Sequence, residues 1–357
     1  MHDTIALGQL FMVGIPGPTI DANTRALLLN LQPGGIILFR RNYTDVEQLT
    51  TLCEEIHGLL LPSPPLIALD HEGGRVHRLT SPFTHFPPAA VIGQTKSLKL
   101  AQQVGQAMGV ELSSVGIDID FAPVLDVRTN PANTVIGDRA FSSDPQTVGL
   151  FGCAQARGLR EGGVIPCGKH FPGHGATSVD SHDDLPRDER SLDELLQIDL
   201  QPFRMVIAEE IEMLMTAHII YPALDSERPA TRSQRLLENL LRRQLGFRGV
   251  IVTDDLEMGA IVRHDSVENA AMQALRAGAD LLLICHKLEL ALAARDTCLQ
   301  ALTKGELSSH RIDEALERLG VLKHKLARQQ RRAGKEESGF PAHQQLAEAI
   351  KEGAAKT

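Results

Sequence analysis

The sequence predicts an α/β fold of the (β/α)8, TIM-type barrel class, because apolar strand-like segments alternate with segments of helical periodicity along its 357 residues. Continuous apolar strands separated by helices are typical of parallel strands that are buried on both faces. Eight such units are the number that closes a barrel, and the length suits one barrel of about 250 residues with insertions. An open doubly wound sheet is disfavoured, because no glycine-rich phosphate loop follows the first strand.

The predicted elements repeat a strand-then-helix unit eight times. The strands are expected at residues 10–15, 35–39, 66–70, 117–122, 164–170, 212–218, 249–254 and 280–285. The helices are expected at residues 21–31, 44–60, 97–115, 145–161, 191–210, 233–245, 265–277 and 288–302.

The C-terminal region departs from this alternation. A helix is expected at residues 311–332, and its regularly spaced apolar residues should pack on the barrel. Beyond Arg328 the chain is rich in Gln, Arg, Lys and Glu and poor in large apolar residues, which predicts a mobile or loosely helical segment. We therefore expect a barrel domain at residues 1–325 and a polar, flexible tail at residues 326–357.

The composition excludes several classes of partner. The formal net charge is −9 with both signs interspersed, and the chain has no Trp and two Tyr, which disfavours a nucleic-acid-binding surface. The five cysteines are dispersed without a CxxC pair, so a reducing, cytoplasmic location is favoured over a disulfide framework or structural zinc. The apolar residues 5–15 lack a preceding basic segment and are too few to span a bilayer, which favours a first strand over a signal peptide. We expect a monomer with no membrane partner, no cofactor and no bound metal.

The most informative segment is residues 164–186, VIPCGKHFPGHGATSVDSHDDLP. It begins as an apolar strand and continues as a Gly/Pro loop with many titratable side chains: Lys169, His170, His174, Asp180, His182, Asp183 and Asp184. Such a loop suits a proton donor above a pocket better than it suits a core. The long connections at residues 71–96, 123–144 and 171–190 all follow strands, on the side of a barrel that carries chemistry.

Polar residues also end several predicted strands. They are Asp70, Lys169, His170, His218 and Asp254. Any one of them could be a helix cap or a satisfied core group. Several at the carboxyl ends of parallel strands predict a shared pocket, because those ends converge in a barrel.

The motifs KHFPGHGATSVDSHDDLP, DHEGGRVHRL, GGIILFRRN, IGDRAF and VIVTDDLEMGA resemble glycoside hydrolase family 3. More narrowly, they resemble its single-domain bacterial β-N-acetylhexosaminidases, which act in peptidoglycan recycling. The resemblance extends from about Leu7 to Leu302. It implies cleavage of a glycosidic bond with retention, which uses a carboxylate nucleophile and a proton donor on opposite sides of the anomeric carbon.

The resemblance assigns the nucleophile to Asp254 and the general acid/base to His182. Asp180 is expected to orient His182 and to stabilise its imidazolium, as a carboxylate does in a triad. Asp255 is expected to cap or orient the following helix.

The resemblance also implies a set of sugar contacts: Asp70, Arg78, Arg139, Lys169 and His170. A carboxylate such as Asp70 can accept bonds from two hydroxyls, which suits a vicinal diol. For the two arginines, a structural salt bridge is the alternative. His218 is left unassigned, and His174 is expected to shape its loop.

The implied substrate is a terminal β-linked N-acetylglucosamine of 1,6-anhydro-muramyl fragments, although the residues alone do not distinguish these from chitin fragments, nor hydrolysis from phosphorolysis. One alternative is a metal-dependent barrel hydrolase with ligands among His170, His174, His182, His218 and Asp254. Against it, no HxH pair ends a strand, and Lys169 would repel a cation beside His170. The other alternative is a non-catalytic sugar-binding module, which would have no need of the Asp180–His182 pair.

Overall fold

The computed structural model describes residues 4–61, 63–177, 180–181, 184–330 and 340–354. The chain divides into two compact units. The first unit comprises residues 1–68, 179–189 and 215–323, and the second comprises residues 69–178, 190–214 and 324–357. The boundaries pass through two strands, β3 (Leu66–Leu69) and β6 (Met213–Thr216), so each of these belongs to both units.

The first unit is built on parallel strands that are buried throughout. They are β1 (Phe11–Gly14), β2 (Gly35–Ile37), β9 (Val250–Val252) and β10 (Leu282–Ile284), together with part of β3 and β6. β1 lies between β10 and β2, and β2 also pairs with β3. A parallel bridge between Val252 and Leu281 joins β9 to β10.

Helices connect the strands of the first unit. They are α1 (Thr4–Gly8), α2 (Ala22–Leu31), α3 (Val46–Leu59), α9 (Gly259–Val262), α10 (Val267–Ala277), α11 (Leu288–Thr303) and the start of α12 (Ser309–Gln330), with a π-helix at Arg235–Gln244. Capping side chains fix the residues at which several of these helices begin. Asp21 accepts a hydrogen bond from the Thr24 backbone N–H at 2.7 Å, which satisfies a donor that the first helical turn leaves unpaired.

The first unit also contains an antiparallel hairpin that the periodicity does not predict. β7 (Ile220–Tyr221) pairs with β8 (Asp225–Pro229) in the connection that follows β6. The three central residues of β8 are exposed and polar, so an apolar strand pattern is absent there.

The second unit contributes β4 (Ile119–Asp120) and β5 (Ile165–Phe171), with part of β3 and β6. Its helices are α4 (Ala89–Gln94), α5 (Leu98–Ser114), α6 (Pro145–Glu161), α7 (Leu192–Glu194), α8 (Leu200–Ala208), the end of α12, and α13 (Pro341–Ala354). A π-helical segment, Leu195–Asp199, joins α7 to α8. β4 and β5 are parallel, with Ile119 opposite Ile165.

The strand order β10-β1-β2-β3-β4-β5-β6-β9 and the parallel β9–β10 bridge are those of a (β/α)8 barrel, so the predicted fold class is confirmed. Each predicted strand overlaps an observed one. Seven of the eight observed strands are shorter than predicted, whereas β5 has the predicted length and is shifted by one residue. β4 is the extreme case, with two residues where six were expected. Among the described helices, none combines the length and apolar composition that a membrane span requires.

Helices α5 and α6 pack backbone against backbone in the second unit. A Cβ atom at Gly105 would collide with the Gln155 carbonyl oxygen, and one at Gly158 would collide with the Gln102 carbonyl oxygen. Both positions therefore require glycine for close approach rather than for backbone conformation. The glycines of α5 and α6 therefore set the distance between these two helices, in addition to the apolar residues that set their buried faces.

A buried group of ion pairs lies at the amino-terminal end of β10. The fully buried carboxylate of Asp280, just before β10, pairs with Arg242, Arg311 and Arg318 in the first unit. Asp280 also accepts the Ile251 backbone N–H at 2.9 Å. Because these ion pairs tie the start of α12 to the bottom of the sheet, they belong to stability rather than to chemistry.

The C-terminal segment contains the helix α13, which packs on the second unit. Its Ala347 and Ile350 join the apolar cluster formed with α4, α5 and α6. His343 Nδ1 lies 2.9 Å from Oε1 of the buried Glu111, whose Oε2 accepts the Thr84 backbone N–H at 2.8 Å. The domain boundary at residue 325 and the flexibility of the tail stay predictions.

We expect Ile350→Ala to lower the free energy of unfolding by about 2–4 kcal/mol, because Ile350 is 1% exposed and its truncation leaves a cavity. Chemical denaturation followed by circular dichroism would measure the change. Gln345→Ala on the exposed face of the same helix is the matched control and should stay within about 0.5 kcal/mol of the wild type. Equal losses for the two variants would mean that α13 is not docked in solution.

Candidate active site

The second unit holds a buried charged group that we name the Lys169 cluster, formed by Asp70, Glu72, Arg139 and Lys169. The Lys169 side chain is 2% exposed on β5. Its Nζ lies 2.6 Å from Asp70 Oδ1, at the end of β3, and 2.6 Å from Glu72 Oε1. A buried ammonium is tolerated only with such counter-charges, and here burial would lower the pKa of Lys169 but the two carboxylates raise it.

Glu72 is shared between Lys169 and Arg139. Arg139 binds it in bidentate fashion, with Nε 2.8 Å from Oε2 and Nη2 2.7 Å from Oε1. Burial alone would raise the pKa of Glu72, but the charges of Arg139 and Lys169 hold it well below its usual range. Arg139 thus takes part in a buried structural ion pair, the alternative that the sequence left open for it.

Asp70 is the exposed edge of the cluster. Besides Lys169 it faces Arg78, whose Nη2 lies 3.6 Å from Asp70 Oδ2. Four of the five predicted sugar contacts, Asp70, Arg78, Arg139 and Lys169, therefore form one network, linked through Glu72.

Asp120 lies under this network on β4. Its Oδ1 accepts the backbone N–H of His71 at 2.9 Å, which holds the peptide that follows Asp70. Burial raises the pKa of Asp120 well above its ordinary value, and the negative charges of Asp70 and Glu72 add to the effect against the opposing charge of Lys169. Burial therefore disfavours the ionised form of Asp120.

His170, the fifth predicted contact, pairs with Asp126 in the same unit. His170 Nδ1 lies 2.7 Å from Asp126 Oδ2. Asp126 Oδ1 accepts the backbone N–H of His170 at 3.2 Å and that of His174 at 2.7 Å.

His174 holds its own loop together, as expected from the sequence. Its ring Nδ1 lies 2.7 Å from Thr177 Oγ1, and its carbonyl accepts the side-chain amide of Asn133 at 2.8 Å. The beginning of the Gly/Pro loop is thereby fixed to the connection that follows β4.

In the first unit, Asp254 follows β9 on a tightly held strand end. Its Oδ1 accepts the Asp255 backbone N–H at 2.8 Å. Just before it, Thr253 Oγ1 accepts the Leu283 backbone N–H at 2.9 Å, which ties this end to β10. The carboxylate of Asp254 is partly exposed, so it has both a fixed backbone and access to a ligand.

Asp255 does not cap a helix, contrary to the expectation from the sequence. α9 begins later, after Met258, and Asp255 Oδ1 instead accepts the backbone N–H groups of Glu257 at 3.1 Å and Cys285 at 3.2 Å. Burial, together with the charges of Glu257 and Asp254, raises the pKa of Asp255 to about 7 against the opposing effect of these hydrogen bonds.

His218 supports this strand end from β6. Its Nε2 lies 2.9 Å from the Asp255 carbonyl oxygen, and its Nδ1 lies 2.7 Å from Thr231 Oγ1. Because a carbonyl only accepts, Nε2 carries a hydrogen and donates it to Asp255. His218, which the sequence left unassigned, therefore satisfies polar groups at this strand end.

The predicted acid/base His182, with Asp183, lies outside the described residues, but the residues around it are described. The Asp184 backbone N–H donates to the Asp180 carbonyl at 3.0 Å, which closes a turn. Ser181 accepts the Ala260 backbone N–H at 3.1 Å, and Asp184 Oδ1 lies 2.7 Å from His264 Nε2. Ser181 and Asp184 are therefore held against α9 and its end, within ten residues of Asp254 in the sequence.

Sequence reasoning missed three carboxylates of the second unit, Glu72, Asp120 and Asp126. A signal existed for each, because Glu72 lies two residues after Asp70, and the other two interrupt the apolar segment IDIDFAPVLDV. Among the described residues, no group of three or more His, Cys, Asp or Glu side chains is arranged to hold a metal ion.

Comparison with known proteins identifies the family. Residues 4–322 match the glycosyl hydrolase family 3 N-terminal domain. A beta-hexosaminidase of Thiobacillus denitrificans is 42% identical over 293 residues, 80% of each chain. A family 3 beta-N-acetylglucosaminidase from Paenibacillus sp. gives a TM-score of 0.94 at 38% identity, covering 99% of this chain and 69% of that one. NagZ from Neisseria gonorrhoeae, in complex with N-trifluoroacetyl-D-glucosamine, gives 0.81 at 37% identity, covering 96% and 97%.

The barrel and these similarities define a glycoside hydrolase that acts on small glycans. The chain belongs to glycosyl hydrolase family 3, among relatives named beta-hexosaminidase.

We expect Asp255→Asn to change how stability depends on pH. With a folded-state pKa of about 7 and an ordinary value of 3.8, native Asp255 keeps a proton that the unfolded chain releases between these pH values. Wild-type stability should therefore fall relative to Asp255→Asn from pH 4 to pH 7, by on the order of 3 kcal/mol, and no further above it. Urea unfolding at several pH values measures this.

The exposed Glu289→Gln on α11 is the control for this pH series and should run parallel to the wild type. A constant difference between Asp255→Asn and the wild type across the whole range would contradict the raised pKa.

Proposed function

We propose that the protein is a retaining exo-β-N-acetylglucosaminidase that removes terminal N-acetylglucosamine from peptidoglycan fragments of the anhydro-muropeptide type. Its family and the names of its relatives support the β-N-acetylhexosaminidase activity. The N-acylated glucosamine in the Neisseria gonorrhoeae complex supports this sugar as the one that is bound. The muropeptide aglycone follows from the resemblance of the motifs to enzymes of peptidoglycan recycling.

The observation that carries the mechanism is the anchoring of Ser181 and Asp184, which flank positions 182 and 183 in the sequence. Ser181 and Asp184, on either side of His182, are bonded to Ala260 and His264 in the segment that follows Asp254. Ser181, Asp184 and Asp254 all belong to the first unit, and the proposed proton donor at position 182 lies between the first two in the sequence. Retaining glycosidases require such a pair, with about 5–5.5 Å between two carboxyl groups in the common case.

In this mechanism the Asp254 carboxylate attacks the anomeric carbon and forms a glycosyl ester. His182 protonates the departing glycosidic oxygen and then takes a proton from the water that hydrolyses the ester. Asp180 orients the imidazole and stabilises its charged form. Asp255, whose raised pKa keeps it mainly neutral below pH 7, adds little negative charge beside the nucleophile.

The second unit supplies the sugar contacts of the proposal. Asp70 accepts hydrogen bonds from hydroxyls at the exposed edge of the Lys169 cluster, and Arg78 donates beside it. Lys169 and Arg139 act mainly by holding Asp70 and Glu72 ionised and in place, because their donors are already engaged there. His170 contacts the sugar through its imidazole.

We also propose that the protein is a monomer and lies in the cytoplasm. All five cysteines are buried free thiols, which suits a reducing compartment.

We expect a fluorinated, slowly hydrolysed N-acetylglucosaminide to add the mass of its sugar to the peptide that contains Asp254. The fluorine slows hydrolysis of the glycosyl ester, so that the intermediate accumulates for mass spectrometry. Asp254→Asn should stay unlabelled and lose nearly all turnover, with the neighbouring Asp255→Asn as the matched control that still labels. Label on any other peptide would refute the assignment of the nucleophile.

We expect His182→Ala to lose about 10²–10⁴-fold in kcat on a substrate with a poor leaving group and far less on a nitrophenyl N-acetylglucosaminide. Only the poor leaving group needs a proton, so the ratio of the two losses measures general-acid catalysis. Asp180→Ala should show the same asymmetry to a smaller degree. Equal losses on both substrates would assign His182 to binding alone.

A further inference from the structure

Asp126 is a fully buried carboxylate in the second unit that the proposed mechanism does not use. It is 0% exposed in the connection that follows β4. The chain continues beside β5 there, because Val124 forms a parallel bridge with Lys169 and the Leu125 backbone N–H donates to the Lys169 carbonyl at 2.6 Å. This register brings Asp126 next to His170, one residue beyond Lys169.

The carboxylate meets three donors. Oδ1 accepts two backbone N–H groups, from His170 at 3.2 Å and from His174 at 2.7 Å, while Oδ2 faces His170 Nδ1 at 2.7 Å. Burial alone would raise the pKa of Asp126, but interaction with His170 lowers it, so the group is an ionised acceptor. The hydrogen of the His170–Asp126 bond must then be carried by Nδ1.

The hydrogen on Nδ1 sets the role of the other ring nitrogen, Nε2, in the neutral ring. With a hydrogen on Nδ1, the neutral imidazole presents a lone pair on Nε2. Within the described ranges of the chain, Nε2 has no hydrogen-bond partner, and the His174 ring meets the His170 ring edge-on at a centroid distance of 5.8 Å. The cationic side chains Arg78, Arg139 and Lys169 can only donate hydrogen bonds. A sugar hydroxyl also has a hydrogen to donate, and Nε2 of His170 can accept it.

We propose that Asp126 is a positioning residue of the sugar site, which fixes His170 as the Nδ1–H tautomer and presents Nε2 as a hydrogen-bond acceptor to a hydroxyl of the bound N-acetylglucosamine. This inference rests on the proposed function, because it takes the sugar as the ligand of His170. A hydroxyl has one hydrogen, which Nε2 receives, and its oxygen can still accept a hydrogen bond from a donor.

Asp126→Asn separates this role from a purely structural one. The amide oxygen can still accept the two backbone N–H groups, so the loop keeps its anchor. The amide N–H₂ replaces Oδ2 and cannot accept from Nδ1, so the hydrogen of His170 moves to Nε2, which then donates instead of accepting. The tautomer therefore changes while the fold is retained.

The experiment is a ¹⁵N NMR measurement of the His170 ring in the whole protein, combined with kinetics on nitrophenyl N-acetylglucosaminide. The wild type should give the Nδ1–H pattern and Asp126→Asn the Nε2–H pattern. Asp126→Asn should also lose about 10- to 100-fold in kcat/KM, as expected for one misplaced hydrogen bond to the substrate. Glu212→Gln, which removes a buried carboxylate paired with Arg160 instead, should change neither the tautomer nor kcat/KM.

A double-mutant cycle completes the test. In a His170→Ala background, Asp126→Asn should cost nothing further in kcat/KM, because its effect passes through the imidazole. Additive losses, or an unchanged His170 tautomer in Asp126→Asn, would overturn the proposal. Asp126→Asn that fails to fold would also overturn it, because the proposal requires the amide to keep the loop anchor. A wild type that releases no nitrophenol would instead refute the proposed function, and the tautomer pattern would still be measurable.

Discussion

The buried ammonium of Lys169 is the constraint on which the sugar-binding part of the molecule depends. A side chain 2% exposed cannot stay charged in an apolar barrel without partners, and Asp70 and Glu72 provide them at 2.6 Å. Each partner has a second contact, Asp70 with Arg78 and Glu72 with Arg139. One cation thus fixes the ends of β3 and β5 and the loop that carries Arg139.

This arrangement explains why binding groups can be rigid although they lie on loops. Glu72, Asp120 and Asp126 touch their neighbours and hold them, while Asp70 and His170 keep an edge toward a ligand. Charged groups that are pre-positioned in this way lose little entropy when a sugar binds. The same buried groups make the unit sensitive to substitution, since removing one partner leaves an uncompensated charge.

Much of the fold could be predicted because the barrel strands are short apolar segments between amphipathic helices, and this pattern is local. The hairpin β7–β8 could not, since β8 is exposed and polar, and the docking of α13 could not, since its contacts are with segments distant in the sequence. Of the site, Asp70, Lys169 and Asp254 were visible as polar strand ends. Asp126 was visible only as a carboxylate within an apolar segment. Its pairing with His170 could not be predicted, because it depends on the register between distant segments. The same holds for Asp255, where the neighbouring residue suggested a helix cap but the helix begins after Met258.

The close crossing of α5 and α6 has a consequence for how this protein can vary. The two helices flank β4 in the chain and lead into β5, and their backbones touch at Gly105 and Gly158 without an intervening side chain. Nothing compressible lies between them, so a larger residue at either glycine would be transmitted as a shift between the two strands. In laboratory evolution toward another sugar, Gly105 and Gly158 should therefore be retained. The successful substitutions should lie in the loops that follow the strands.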